Sequence, residues 1–323
     1  SPAGQRTVAQ PLLLLADEGG SDRAVRWPVR SDRRIRVYKG DLVEPYGADD
    51  AVRVGSMLFT LVDPTPGFEV AYSRWYERDH FYGGCLVGPW LFAGRRWVAT
   101  RELKDMRFPT DVPADAAVAD PLDAGSYLAT YFVHKGHEAE HFAWANKQVF
   151  ELYAHDRGFD ERRHAHTVLY FTTGDDHRDP DGVPTHMALD HPYAGLVSVH
   201  VDRTGDTSHP ELTEWFSEQA APSLFADGAD GTRSPIDQVV HWRPIIPKGS
   251  EGDAPMDLGS GPGTRARSLQ LMFLSTDPRD GDAWQRVRDY AAAVEASGLA
   301  TVRLAAPFIP TIFGTDTYAD QLW

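Results

Sequence analysis

Three clusters of residues have types and spacings suited to chemistry. The first is Trp75, Tyr76, Asp79 and His80, at the end of the segment Gly67-Phe-Glu-Val-Ala-Tyr-Ser-Arg-Trp-Tyr-Glu-Arg-Asp-His80. Histidine titrates near neutral pH and can move protons, and a nearby carboxylate can fix its tautomer. On a helix Tyr76 and His80, four residues apart, share a face, while Asp79 points about 100° away from His80. His80 is then a candidate acid or base, Tyr76 a hydrogen-bond donor and Asp79 a third catalytic candidate. The structural alternative is that Asp79 and His80 cap the helix end, where the dipole favours a cationic imidazole.

The second cluster, His137-Glu138-Ala-Glu140-His141, has the HExxH form of zinc peptidases. Two histidines at i and i+4 can grip zinc, with Glu138 as general base and Glu161 as a distant third ligand. The context is poor for it. His137 follows Lys135-Gly136 at a helix start, and Trp144 and Lys147 stand where the extended motif needs Gly and His. The third cluster is His164-Ala-His166. Alternate strand residues point to one face, so both imidazoles are expected to share a cavity or to be solvated together. With His80 or His141 they could hold a metal, and His141, His164 or His166 could ligate a haem.

The elements that position these clusters follow from the apolar patterning. An apolar strand at 56–62 precedes a helix at 67–82, started by Asp63 or Thr65 as cap and ended at Gly83-Gly84 by left-handed glycines. A strand at 90–100 follows. The same plan returns as strand 126–133, helix 137–156 and strand 163–171. It returns again as strand 194–201, helix 210–225 and strand 238–246, and finally as strand 268–275, helix 283–297 and strand 300–306. Residues 104–124 and 173–192 read as loops, and 247–266 as a linker or flap rich in Gly and Pro. Four strand-helix-strand units make two βαββαβ sets, the ferredoxin-like arrangement. Arg74-Trp75-Tyr76-Glu77-Arg78 and Glu214-Trp215-Phe216-Ser217-Glu218 match at corresponding helix positions. Gln219 and Ala220 replace the acid and histidine in the later copy.

Composition bounds the partners. The net charge is 32 − 47 = −15, which argues against nucleic acid, since phosphate binding needs a concentrated positive surface. Six arginines between Arg23 and Arg36 are interrupted by Asp32, and no aromatic stacking pattern follows them. The single cysteine, Cys85, excludes an internal disulfide and a thiolate metal cluster, and a cytoplasmic setting is expected. No apolar run nears the ~20 residues of a membrane span. Nine tryptophans and twelve tyrosines suit an aromatic-lined pocket or an aromatic core alike. Nucleotide-binding glycine motifs, a GxSxG elbow and a cysteine-protease signature are all missing.

Tyr72-x-x-Trp75-Tyr76-x-x-Asp79-His80, followed by Gly88-Pro-Trp-Leu-Phe-Ala-Gly-Arg95-Arg96-Trp97, resembles the dimeric α/β-barrel superfamily, close to its EthD-like group. The close resemblance covers residues 56–100. It implies two ferredoxin-like units pairing their sheets into a barrel with a central cavity. Cofactor-free monooxygenases, cyclases, isomerases and haem proteins share that fold, so the fold narrows the chemistry little.

The expected organisation is an arm at 1–54, ferredoxin-like repeats at 55–175 and 193–308 in tandem, and a tail at 309–323. The class is α+β, with duplicated βαββαβ units forming an intramolecular α/β barrel. The expected function is an enzyme acting on a small apolar or aromatic substrate in the barrel cavity, by acid/base-assisted cyclisation, dehydration, isomerisation or cofactor-free oxygenation. Tyr72, Trp75, Trp144 and Trp215 are candidate walls, and Arg95 or Arg96 a counter-charge to a developing oxyanion. No cofactor is expected; haem and zinc are the alternatives, through His137, His141, His164 and His166. A non-catalytic lipophilic carrier is the third reading. The expected assembly is a monomer or homodimer.

Overall fold

The computed structural model describes residues 13–15, 23–25, 51–245 and 264–323. Two short strands, β1 (Leu13–Leu15) and β2 (Arg23–Val25), pair antiparallel within the unit Ser1–Asp49. The strand expected at Arg34 to Tyr38, and most of the expected linker at 247–266, lie outside the described residues.

From residue 50 onward, eight strands close into a barrel. They are β3 (Val54–Pro64), β4 (Leu91–Val98), β5 (Tyr127–His134), β6 (Arg162–His177), β7 (Gly195–Arg203), β8 (Ile236–Pro244), β9 (Arg267–Leu274) and β10 (Ala300–Pro310). All their pairings are antiparallel, in the order β10-β4-β5-β3-β6-β8-β9-β7. Both β4-β5-β3-β6 and β8-β9-β7-β10 have the strand order of a βαββαβ unit. The junctions are β6–β8 and β10–β4. The chain is therefore α+β, with the ferredoxin-like arrangement used twice to close one barrel.

The helices lie outside the sheet. In the first half they are α1 (Glu69–Trp75), prolonged by a π-helical stretch Tyr76–Leu86, then the short α2 (Arg101–Asp105), and α3 (Glu138–Ala154). The second half has α4 (His209–Trp215), a π-helical turn Phe216–Ala220, α5 (Ala221–Phe225) and α6 (Ala283–Ser297). In both halves the α-to-π switch falls after the tryptophan of the matched Trp-aromatic pair. Among the described residues, no helix is long and apolar enough to cross a membrane.

Several local expectations need correcting. Gly83 and Gly84 do not end the first helix, because the π-helical stretch carries through them to Leu86 with no left-handed residue. Asp63 is not a cap. Its carboxylate accepts from the amides of Gly125 (2.6 Å) and Ser126 (2.7 Å), binding the end of β3 to the entry of β5. α1 instead begins after Phe68 without a side-chain cap. β6 outruns its apolar pattern to His177, since Gly174 to His177 still pair with β8. The tail begins later than expected, because β10 continues to Pro310.

Among the described residues, side chains fill the barrel centre where the resemblance implies a cavity. Phe59, Trp97, Phe132, Trp242, Leu271 and Phe273 are at most 1% exposed and fill it. Phe132 meets Trp242 across the interior at 5.6 Å between ring centroids. Eight strands leave an interior just wide enough for side chains to fill.

Gly125 illustrates how tightly the first half is closed. Its φ is +86°, and an added Cβ would lie 2.2 Å from Leu61 Cγ. Gly125→Ala therefore incurs both left-handed strain and overpacking, about 2–4 kcal/mol together. Urea unfolding should show the loss as a lower midpoint; an unshifted midpoint would contradict this packing.

Candidate active site

The hollow of the first half lies outside the barrel wall, between the outer face of β4-β5-β3-β6 and the α1/π and α3 helices. Its volume is about 280 Å³. Leu58, Thr60 and Val62 of β3 line it, alternating with Met57, Phe59 and Leu61, which point into the filled barrel. The lining is largely apolar, with a few convergent polar groups, as ligand pockets usually are.

The π-helical stretch brings His80 to the wall. The ring stacks on Trp75 (4.6 Å, 18°) and meets Tyr76 edge-on at 5.4 Å. Gly84 makes room for it, since a Cβ there would lie 2.7 Å from His80 Nδ1. Neither ring nitrogen has a hydrogen-bond partner among the described residues. Burial, then the charges of Arg162 and His164, pull its pKa down to about 3, against a small opposing effect of Asp79. The imidazole is thus neutral at physiological pH. Asp79 turns away to an ion pair with Arg157, whose Nε lies 3.1 Å from Oδ2. π-helical insertions are enriched at functional sites, which suits this placement.

His141, on α3, also lines the cavity. Its Nδ1 lies 2.8 Å from the Pro89 carbonyl, so Nδ1 carries the proton and donates, leaving Nε2 as an acceptor. Burial lowers its pKa, with the Pro89 bond opposing. His137 points elsewhere, stacked on Trp90 at 3.6 Å between centroids. Glu138 accepts from the Gly136 amide (3.0 Å), and Trp90 donates to Glu140 (2.7 Å). His137, Glu138 and Glu140 are thus spent on the start of α3, and His141 alone of the motif faces the cavity. Among the described residues, no three potential ligands converge on a metal position.

His164 and His166 do not share a face. A register shift in the β3–β6 ladder pairs Leu61 with His166 but Val62 with His164, and such a bulge re-aims a side chain. His164 faces the cavity. Arg162 Nε donates to its Nε2 (3.3 Å), and its Nδ1 donates to Thr167 Oγ1 (2.8 Å), which lies 2.8 Å from Thr60 Oγ1. His166 points into the barrel, bonded to the Tyr170 hydroxyl (2.9 Å) and 5.4 Å from the ring of His200. Burial and the Arg267 charge bring His166 down to about 3, and His200 is also held well below its ordinary value.

Tyr72 and Tyr76 line the cavity. The Tyr76 hydroxyl lies 2.8 Å from that of Tyr131, which also bonds the Cys85 thiol. Burial pushes both phenols above their ordinary value and the thiol up to about 12. Trp75 acts from behind His80, its Nε1 donating to the Arg157 carbonyl (2.9 Å). Trp144 lies beside His141 at 5.9 Å, and Trp215 packs in the core of the second half.

The adjacent arginines part to opposite faces. Arg96 is 1% exposed and donates to Ser73 (2.9 Å) and Glu77 (3.0 Å), with its guanidinium 3.9 Å from the centroid of Tyr127. Arg95 lies outside this cavity. Residues not anticipated from sequence include Thr60, Tyr131, Arg162 and Thr167. A lone Thr inside an apolar strand was the available signal for Thr60 and Thr167.

No family model matches the chain, and no curated protein matches it. Solved structures do. An anthrone oxidase-like protein is 9% identical with a TM-score of 0.47, over 82% of this chain and 95% of that one. A DypB variant from Rhodococcus jostii RHA1 in complex with heme is 10% identical with a TM-score of 0.47, over 85% and 98%. A dyp-type peroxidase protein from Shewanella oneidensis is 9% identical with a TM-score of 0.44, over 84% and 95%. The architecture described above stands on the strand order of the sheet.

His141 offers a suitable donor to haem, with Nε2 open and Nδ1 fixed by a carbonyl. The hollow, about 280 Å³, sits at the lower edge of the ~300–1,000 Å³ of small-molecule pockets, narrow for a macrocycle. No step is routed through haem.

The depressed histidines make a stability prediction. An unfolded histidine binds its proton near 6.5, whereas His80 and His166 do so near 3 in the fold. The unfolded state binds more protons between these values, so stability rises with pH across that window and is lost as pH falls through it. The urea midpoint should fall from pH 7 to pH 5, above the range where carboxylates titrate. His200→Phe, which removes a third such group, should shrink that fall; an equal fall in both proteins would contradict neutral burial.

Proposed function

We propose that the chain is an enzyme that binds a small, largely apolar or aromatic molecule in the cavity of its first half and moves a proton through His80. The reaction is a cyclisation, dehydration, isomerisation or cofactor-free oxygenation. The observation that carries this reading is the half-buried imidazole of His80 at the cavity wall, its pKa drawn down to about 3, without a hydrogen-bond partner among the described residues and oriented by its stack on Trp75. The EthD-like resemblance of residues 56–100 is part of the same reading.

A neutral imidazole with so low a pKa is a weak base toward water. Its basicity rises when a bound substrate develops negative charge beside it, because an opposite charge at short range favours the imidazolium. Proton transfer is thereby coupled to substrate binding. Arg162 at the same wall supplies positive charge toward a developing oxyanion. Tyr76, linked to Tyr131, supplies a hydroxyl on the helix side. His164 and the two threonines form a fixed polar seam on the strand side. The apolar walls exclude water, which strengthens each of these interactions.

The test begins with a binding screen of aromatic and polyketide-like compounds, followed by turnover assays on those that bind. His80→Ala should lower kcat/KM by the ~10²–10⁴ of a lost acid or base, with binding largely kept. A lipophilic carrier would instead show no turnover and nearly unchanged affinity in that variant. Turnover within a fewfold of the parent would sink the assignment of His80.

A further inference from the structure

The barrel closes unevenly, and a second hollow lies where it does. β4 pairs with β5 from Leu91 to Val98, but β10 meets β4 at Ile309↔Val98 and Pro310↔Trp97 alone. β10 stops at Pro310. Thr311 then bonds the Arg96 carbonyl through its amide (3.1 Å) and hydroxyl (3.2 Å), and the tail leaves the sheet. Below that point the seam is splayed, and a cavity of about 580 Å³ opens there. This lies within the ~300–1,000 Å³ of small-molecule sites.

Arg95 stands at its base. One guanidinium nitrogen, Nη1, donates to the Leu189 carbonyl at 3.3 Å, and the group lies 5.3 Å from the Trp97 ring centroid. Nε is enclosed without a partner, and Nη2 has none among the described residues. Burial lowers the pKa of Arg95, and Asp190 nearby opposes that effect without forming an ion pair. The other cation, Arg279, is already held by Asp277 (2.7 Å) and Glu102 (2.7 Å). One positive charge is therefore left to a ligand, which suits a monoanion better than a phosphate dianion.

Apart from Thr311 and the Asp277 carboxylate held by Arg279, the remaining walls are apolar or aromatic. Ile312 is 52% exposed and Phe313 39%. Tyr318 lines the same cavity with φ at +75°, a backbone conformation that non-glycine residues rarely adopt and that clusters at ligand sites. Its hydroxyl has no partner among the described residues.

We propose that this cavity is a second ligand site, separate from that of His80, and that it binds a monocarboxylate with an apolar or aromatic body. The carboxylate sits on Nη2 of Arg95, and the body lies along Ile312, Phe313 and Tyr318. The probe is 3-phenylpropionate, with 3-phenylpropan-1-ol as its uncharged analogue, followed by calorimetry or ligand-observed NMR. The acid should bind saturably and the alcohol about tenfold more weakly or less. Arg95→Gln should weaken the acid about 10- to 100-fold. Ile312→Glu, at an exposed position that leaves Arg95 intact, should do the same through charge repulsion. Val149→Trp, which fills the cavity of His80, should leave binding unchanged. Absence of saturable binding, parental affinity in both Arg95→Gln and Ile312→Glu, or loss in Val149→Trp instead would overturn the proposal.

Discussion

The candidate site depends on one buried ion pair. Arg96 rises from the outer face of β4 into a nest of Tyr72, Tyr76 and Tyr127 and bonds both Ser73 and Glu77. Glu77 accepts in turn from the Gly314 amide at 2.8 Å. A single guanidinium thus fixes the junction of α1 and the π-helical stretch to the sheet and to the tail. A charge so enclosed is tolerable only when paired, and the pairing dictates where the helix sits. With Ser73 and Glu77 fixed, Tyr76 and His80 are carried to the cavity wall. Arg74–Asp316 and Trp323–Glu69 reinforce the same docking from the surface side.

The two halves share a plan and differ in what fills it. Outside the second half-sheet, Leu212, Phe216, Val287, Tyr290 and Val294 form a continuous apolar layer. Phe216 occupies the position matched to Tyr76 and packs on His241 at 4.4 Å. His241 is itself bonded to Asp176 (2.8 Å). The π-helical segment there is five residues long, against eleven in the first half. The longer segment swings His80, Gly84 and Cys85 over the sheet and leaves space beneath them. A hollow on one side and a packed layer on the other is how one architecture can hold a site in a single half.

Much of the fold was legible in the sequence because its signals are local. The apolar run at 56–62 is the heart of β3, and the helix expected at 283–297 is α6 as observed. What escaped was set by distant partners. The extension of β6 depends on β8, and the parting of His164 from His166 depends on a bulge against β3. The end of the first helix could not be read from Gly83-Gly84, because those glycines serve close packing: a Cβ on Gly84 would strike His80. Strand alternation separates Arg95 from Arg96, but which of them meets the helices is decided by barrel closure. Likewise His80 and Tyr76 were legible as neighbours, whereas Tyr131, Thr60 and Arg162 come to the same wall through sheet pairing.

The empty space of the first half lies outside the barrel wall, beneath α1 and α3, while the described side chains fill the barrel interior. Xenon enters dry apolar cavities and is located directly by its scattering. In a xenon-pressurised crystal the account predicts a peak between Leu58, Leu169 and Val149, within reach of His80, and none among Phe59, Trp242 and Leu271. A peak inside the barrel with nothing beneath the helices would contradict it, and would return the search to His166 and His200.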